Sequence, residues 1–176
     1  MSTPRLIIIT RNPKDTAVSL FHHMRNKKSF DFEGTWDDFF AMMKQETVES
    51  SNFFKWHAPY WKAYREGRIN ALWLHYEWVT EHLEEAVAKV AAFVDKDLPS
   101  ETVKKIASAC TLDSMKANPK ADCSWISGKQ GDAKHLRKGG KGGWMDVFTN
   151  EQNQEMNGWI QTWATLMPDL DWDYGV

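Results

Sequence analysis

Arg11 and Ser19, joined far down the chain by Arg137, Lys138 and Lys141, are the residues of this sequence best suited to hold an anion. Arg11 brings a fixed charge on a planar donor fork that matches phosphate geometry. Ser19 adds a hydroxyl donor on the polar face of a helix. The stretch Arg5-Leu6-Ile7-Ile8-Ile9-Thr10-Arg11-Asn12-Pro13-Lys14-Asp15 runs a β-branched apolar segment directly into a basic turn and a helix start. A strand, a tight turn and a helix N-terminus form a common anion site. The second basic stretch, Arg137-Lys138-Gly139-Gly140-Lys141-Gly142-Gly143-Trp144, pairs charge with four glycines that permit unusual backbone angles and close approach of amides to a ligand. It is not the G-x-x-x-x-G-K-[ST] loop, because no Ser or Thr follows at the required place. Taken singly, the first stretch also fits a plain strand-to-helix connection and the second a flexible linker.

The elements that must carry these residues can be read from periodicity. Residues 5–10 read as a buried strand. Residues 13–24 read as a helix capped by Asn12, with Pro13 at its first position and Asp15 in its first turn. Ala17, Leu20, Phe21 and Met24 share its apolar face, and Asp15, Ser19, His22 and His23 fall on the polar one. With that start, Ser19 lies about 9 Å along the axis from Pro13 at about 1.5 Å per residue. An aromatic-rich helical region follows over residues 36–64, broken near 50–52. Residues 71–76 read as a second strand, 79–94 as one amphipathic helix, and 100–110 as another. Residues 117–143 lack periodicity and read as a long loop. Thr149-x-x-Gln152 is a capping box that opens a last helix ending near residue 166. Two strands, each followed by helical sequence, give an α/β fold with few parallel strands flanked by several helices. A buried parallel strand wants neighbours on both sides, so part of the sheet is expected to come from elsewhere.

The chain has 176 residues, 42% of them apolar and 26% charged, which is ordinary for one globular domain. Its ten tryptophans are unusual and read first as packing anchors. No run approaches the ~18 apolar residues of a membrane span, and the polar first four residues do not resemble a signal peptide. Cys110 and Cys123 make no metal or redox spacing. A cytoplasmic setting, with neither membrane nor metal, is expected. Net charge is −2, which argues against nucleic-acid or sulfated-glycan binding. The charge is unevenly spread, however. Residues 1–28 hold six basic side chains against one acid, residues 129–141 hold five against one, and residues 146–176 hold six acids and no Lys or Arg. Two basic segments suit one anion approached from two sides.

Together these residues resemble the cytosolic sulfotransferase family, and the resemblance runs along nearly the whole chain. Arg11-Asn12-Pro13-Lys14-Asp15-x-Ala17-Val18-Ser19 is similar to the family's 3′-phosphate-binding segment, and Arg137-Lys138-Gly139-x-x-Gly142-x-Trp144 to its carboxyl-terminal R-K-G-x-x-G-[DE]-W segment. Gly34-Thr35-Trp36, Tyr76-Glu77, Leu98-Pro99-x-Glu101-Thr102-Val103 and Met115-Lys116-x-Asn118-Pro119 fall between them in the family's order, and Phe148-Thr149 follows. The resemblance implies transfer of a sulfuryl group from 3′-phosphoadenosine 5′-phosphosulfate to a hydroxyl or amine, leaving adenosine 3′,5′-bisphosphate. It implies that Arg11 and Ser19 hold the 3′-phosphate, that Arg137, Lys138 and Gly139 close on it, and that Tyr76 sits near the adenine. Cys110, Thr111 and Leu112 align with the family's adenine-side Thr-Ser-Phe, with Leu112 in place of the aromatic ring. Trp36 is expected to pack.

The family's 5′-phosphosulfate loop and its catalytic His precede the Arg-Asn-Pro segment by roughly a hundred residues, whereas ten residues precede Arg11 here. No catalytic residue is therefore assigned. None of His22, His23, His57, His75, His82 and His135 occupies the position of the base. Gly143 and Met145 replace the family's acidic and Lys residues around the Trp, and its dimer motif survives only as Thr149. Residues 1–176 are expected to form one sulfotransferase domain without the 5′-phosphosulfate loop, corresponding to a carboxyl-terminal half. A complementing chain, or self-association through the edge of residues 6–9, would then complete it. The alternative is a non-catalytic module that binds a nucleotide 3′-phosphate or assembles with another protein.

Overall fold

The computed structural model describes residues 4–49, 51–121, 136 and 138–172. The chain divides into two units, one of residues 1–11 and 69–140, the other of residues 12–68 and 141–176.

The first unit is built on two parallel strands, β1 (Arg5–Thr10) and β2 (Asn70–His75). Their register pairs Arg5 with Asn70 at one end and Thr10 with His75 at the other. The β-branched run expected to be a buried strand is buried only at alternate residues. Ile8 and Thr10 are buried, while Ile7 and Ile9 are 44% and 52% exposed. Successive side chains point to opposite faces, so one covered face buries every second residue. Helices α4 (Tyr76–Glu81), α5 (Leu83–Phe93), α6 (Ser100–Ala109) and α7 (Leu112–Ala117) complete the unit.

The single amphipathic helix expected over residues 79–94 is two helices. His82 leaves helical geometry at φ −129°, ψ 52° and turns the chain. Its ring stacks on Trp78 at 5.4 Å, and Lys89 reaches over the same indole from α5 at 5.3 Å. Apolar spacing cannot show this break, because it continues across the turn. The short α7, inside sequence without clear periodicity, is equally hidden.

The second unit is helical: α1 (Pro13–Asn26), α2 (Trp36–Lys44), α3 (Phe53–Arg65) and α8 (Asn150–Ala164). Each begins where a side chain can take its first amides: Asn12 for α1, Thr35 for α2, Asn52 for α3 and Thr149 for α8. Thr149 and Gln152 form the expected capping box. The core is aromatic. Trp36 packs edge-on to Phe21 at 5.5 Å and against Phe148 at 5.0 Å, while its Nε1 donates to Gln152 Oε1 at 2.9 Å. Trp36 thus packs, as expected, and also ties α2 to α8. Phe40 stacks on Trp159 and Phe54 on Trp163, and Trp61 Nε1 donates to the Pro168 carbonyl at 3.0 Å. Among the described residues no helix is long and apolar enough to cross a membrane.

Candidate functional site

In the first unit, strand register sets the site. Thr10 and His75 form the last pair of the ladder, so the next residues, Arg11 and Tyr76, emerge side by side at the carboxyl ends of two parallel strands. That edge is where open α/β sheets place ligands. The Arg11 guanidinium carbon lies 4.4 Å from the Tyr76 ring centroid, and its Nη2 donates to the Gly140 carbonyl at 3.1 Å. Together they fix the plane of the guanidinium. Arg11 Nε is buried with no hydrogen-bond partner among the described residues. A buried charged donor left in this way costs free energy, and an anionic oxygen is the acceptor that suits it. Thr10 Oγ1, one residue away, is buried and unpaired in the same sense.

The glycine-rich segment approaches the same unit. Gly139 and Gly140 have φ of +68° and +76°. The left-handed backbone favours glycine at 139, and a Cβ there would meet Leu112 Cδ2 at 2.8 Å and push that methyl group aside. Leu112 begins α7. Thr111 caps that helix: its Oγ1 accepts from the Ser114 amide at 3.3 Å and donates within a Ser108–Ser114 network. Cys110 is an exposed free thiol ending α6. Lys138 is exposed, and Arg137 lies outside the described residues. The first unit therefore brings together Arg11, Tyr76 and the backbone of residues 139–140, with Leu112 against Gly139. Thr111 is committed to a helix cap.

In the second unit, α1 starts at Pro13, where the sequence places it. Ser19 is exposed on it. The helix N-terminus, expected to offer amides to an anion, is already filled. Pro13 has no N–H, Asn12 Oδ1 accepts from the Lys14 and Asp15 amides at 2.9 and 3.3 Å, and the Thr16 amide bonds the Asn12 carbonyl. The first amides of this helix are therefore already taken and are not open to an anion.

Helical spacing puts Asp15 on the solvent face of α1, yet it is 3% exposed. Its carboxylate accepts from the Gly142 amide at 2.7 Å and the Trp144 amide at 3.0 Å. Gly142 holds a left-handed φ of +78° to present its amide. Lys14 Nζ lies 4.1 Å from the Trp144 ring centroid. Asp15 and Lys14 thus hold the end of the glycine-rich segment, a role that sequence reading does not reveal. The partner is 127 residues away, and nothing local separates a buried carboxylate from a solvated one in a first helical turn.

The chain is similar to known proteins in sequence and fold. The sulfotransferase domain model matches residues 1–168. Sulfotransferase 1 family member D1 of Rattus norvegicus is 31% identical over 154 residues, covering 86% of this chain and 52% of that protein. Sulfotransferase 1A1 of Bos taurus is 31% identical over 153 residues, covering 85% and 51%. Among solved structures, mouse sulfotransferase SULT7A1 complexed with PAP superposes with a TM-score of 0.75 at 28% identity, over 94% of this chain and 58% of that one. Retinol dehydratase in a complex with retinol and PAP gives 0.80 at 26% identity, over 95% and 48%. The chain belongs to the sulfotransferase family and has its α/β fold. It spans about half the length of the curated relatives it matches.

Proposed function

We propose that this chain binds 3′-phosphoadenosine 5′-phosphosulfate, and the adenosine 3′,5′-bisphosphate left after transfer, through the nucleotide 3′-phosphate. The observation that carries this is Arg11. It stands at the carboxyl edge of a parallel sheet, oriented by Tyr76 and Gly140, with a buried Nε that lacks an acceptor among the described residues. A 3′-phosphate is a planar-fork target with close to two charges at neutral pH. Lys138 and the backbone at Gly139 are assigned to the same phosphate, and Arg137 and Ser19 join them on the motif resemblance. Two solved relatives were crystallised with PAP, in agreement with this ligand.

The bound donor supplies a sulfuryl group that passes to the oxygen or nitrogen of a hydroxyl or amine acceptor. The residues of this chain bind and orient it. The groups that align the phosphosulfate and take the acceptor's proton are assigned to sequence outside these 176 residues, because the motifs that carry them in the family have no counterpart within the chain. Such transfer depends on alignment and on charge stabilisation at the leaving oxygen, so a rigid hold on the far phosphate contributes directly.

Calorimetric titration of the chain with adenosine 3′,5′-bisphosphate tests the proposal. Saturable one-to-one binding, lost when the 3′-phosphate is removed from the ligand, is the expected result. Absence of binding, or equal affinity for adenosine 5′-monophosphate, would overturn it.

A further inference from the structure

The second unit contains a cavity of about 620 Å³ that shares no residue with Arg11, Tyr76 or Gly139. We propose that it is a separate binding site for a flat apolar ring system carrying a protonated amine. The inference is independent of the nucleotide reading.

The walls come from four helices, with Met43 and Lys44 contributed by α2. Ala17 and Leu20 face it from α1, Phe54 from α3, and Met156, Trp159 and Trp163 from α8. The large rings are locked rather than loose: Trp159 stacks on Phe40 at 5.5 Å and 14°, and Trp163 on Phe54 at 5.9 Å and 7°. Preformed, mostly apolar walls enclosing a few hundred cubic ångströms are what small-molecule sites share. The volume is enough for two or three fused rings. Trp56 also lines the cavity, 47% exposed yet held at 4.8 Å against Tyr60. Indole faces exposed in this way attract cations through their quadrupole.

The polar lining sets the sign of charge. Three carboxylates, Glu46, Glu49 and Glu155, face one ammonium, Lys44. Lys44 pairs with Glu155 at 2.9 Å, and Glu46 is taken by Lys55 and Asn52. Glu49 is exposed and has no counter-ion among the described residues. His57, also in the lining, is kept neutral by burial, which lowers its pKa despite the hydrogen bond to the Phe53 carbonyl. An anionic ligand would therefore meet net negative charge, whereas an ammonium would meet one uncommitted carboxylate and several ring faces.

Three probes of one shape and different charge test this: 9-(aminomethyl)anthracene, 9-anthracenemethanol and 9-anthracenecarboxylate, titrated into the full chain by tryptophan quenching and calorimetry. The amine should bind saturably, one to one, and about tenfold more tightly than the carboxylate. Glu49→Gln, an exposed change that leaves packing alone, should shrink that preference severalfold. Leu20→Trp, which fills the cavity, should abolish binding of all three probes in a chain whose circular dichroism is unchanged. Equal affinity for amine and carboxylate, a preference unmoved by Glu49→Gln, or no saturable binding would each overturn the proposal. If Leu20→Trp does not fold, the Glu49→Gln comparison decides alone.

Discussion

The Arg11 guanidinium lies 4.4 Å above the Tyr76 ring because Thr10 and His75 close the parallel ladder one residue earlier. A sheet register thus sets the orientation of the side chain proposed to hold the phosphate. Removing the ring should free the guanidinium without removing its charge. Tyr76→Ala is expected to weaken adenosine 3′,5′-bisphosphate binding by about 0.5–2 kcal/mol, the usual worth of a cation–π interaction. Tyr76→Phe keeps the ring and should bind nearly as wild type. Calorimetric titration of both variants checks this, and equal losses would mean that the hydroxyl, not the ring, matters.

Gly139 is held by two constraints, a left-handed backbone and the side chain of Leu112. Gly139→Ala should cost about 1–2 kcal/mol for the backbone alone, plus the clash with Leu112. The double change Gly139→Ala with Leu112→Ala should recover the clash part and not the backbone part. Denaturant melts of the two variants, alongside Leu112→Ala, separate the contributions.

Asp15 takes two amides of the glycine-rich segment in a buried setting. Asp15→Ala leaves both donors unpaired and should cost about 1–3 kcal/mol per unsatisfied group, with the effect concentrated locally. Hydrogen exchange at Gly142 and Trp144 should accelerate far more than exchange within α8. Asp15→Asn, which keeps one acceptor oxygen, should be intermediate. Uniform acceleration across the chain would show general unfolding instead of release of this segment.

Burial lowers the pKa of His57, with the hydrogen bond to the Phe53 carbonyl acting in the opposite sense. A carbonyl can only accept, so Nδ1 carries the proton of the neutral ring. Unfolded, the same side chain titrates near 6.5. Between the two values the unfolded state binds the extra proton, so stability is full above pH 6.5 and falls as pH drops toward the folded pKa. Urea midpoints measured from about pH 8 downward should decline below about 6.5, and His57→Gln should flatten that decline. A wild-type profile indistinguishable from that of His57→Gln would contradict it.

Much of this is legible in the chain itself. The Asn12-Pro13 start of α1 and the Thr149–Gln152 box can be read directly because capping is local chemistry. The adjacency of Arg11 and Tyr76 cannot, since it depends on the register between two strands far apart in the chain. The burial of Asp15 is hidden for the same reason. The expectation of an anion-binding helix terminus fails in a more instructive way: Asn12 and Pro13, which announce the helix so clearly, are the residues that use up its free amides. Ile7 and Ile9 look buried because an isoleucine run does not tell which face of a sheet is covered.

In the proposed function, Arg11 reads the nucleotide 3′-phosphate. The most direct test compares the affinity of wild type and Arg11→Ala for adenosine 3′,5′-bisphosphate and for adenosine 5′-monophosphate. A lost charge-assisted hydrogen bond should weaken the bisphosphate by about tenfold to a hundredfold and leave the monophosphate nearly unchanged. An equal loss for both nucleotides, or no loss for either, would contradict the account.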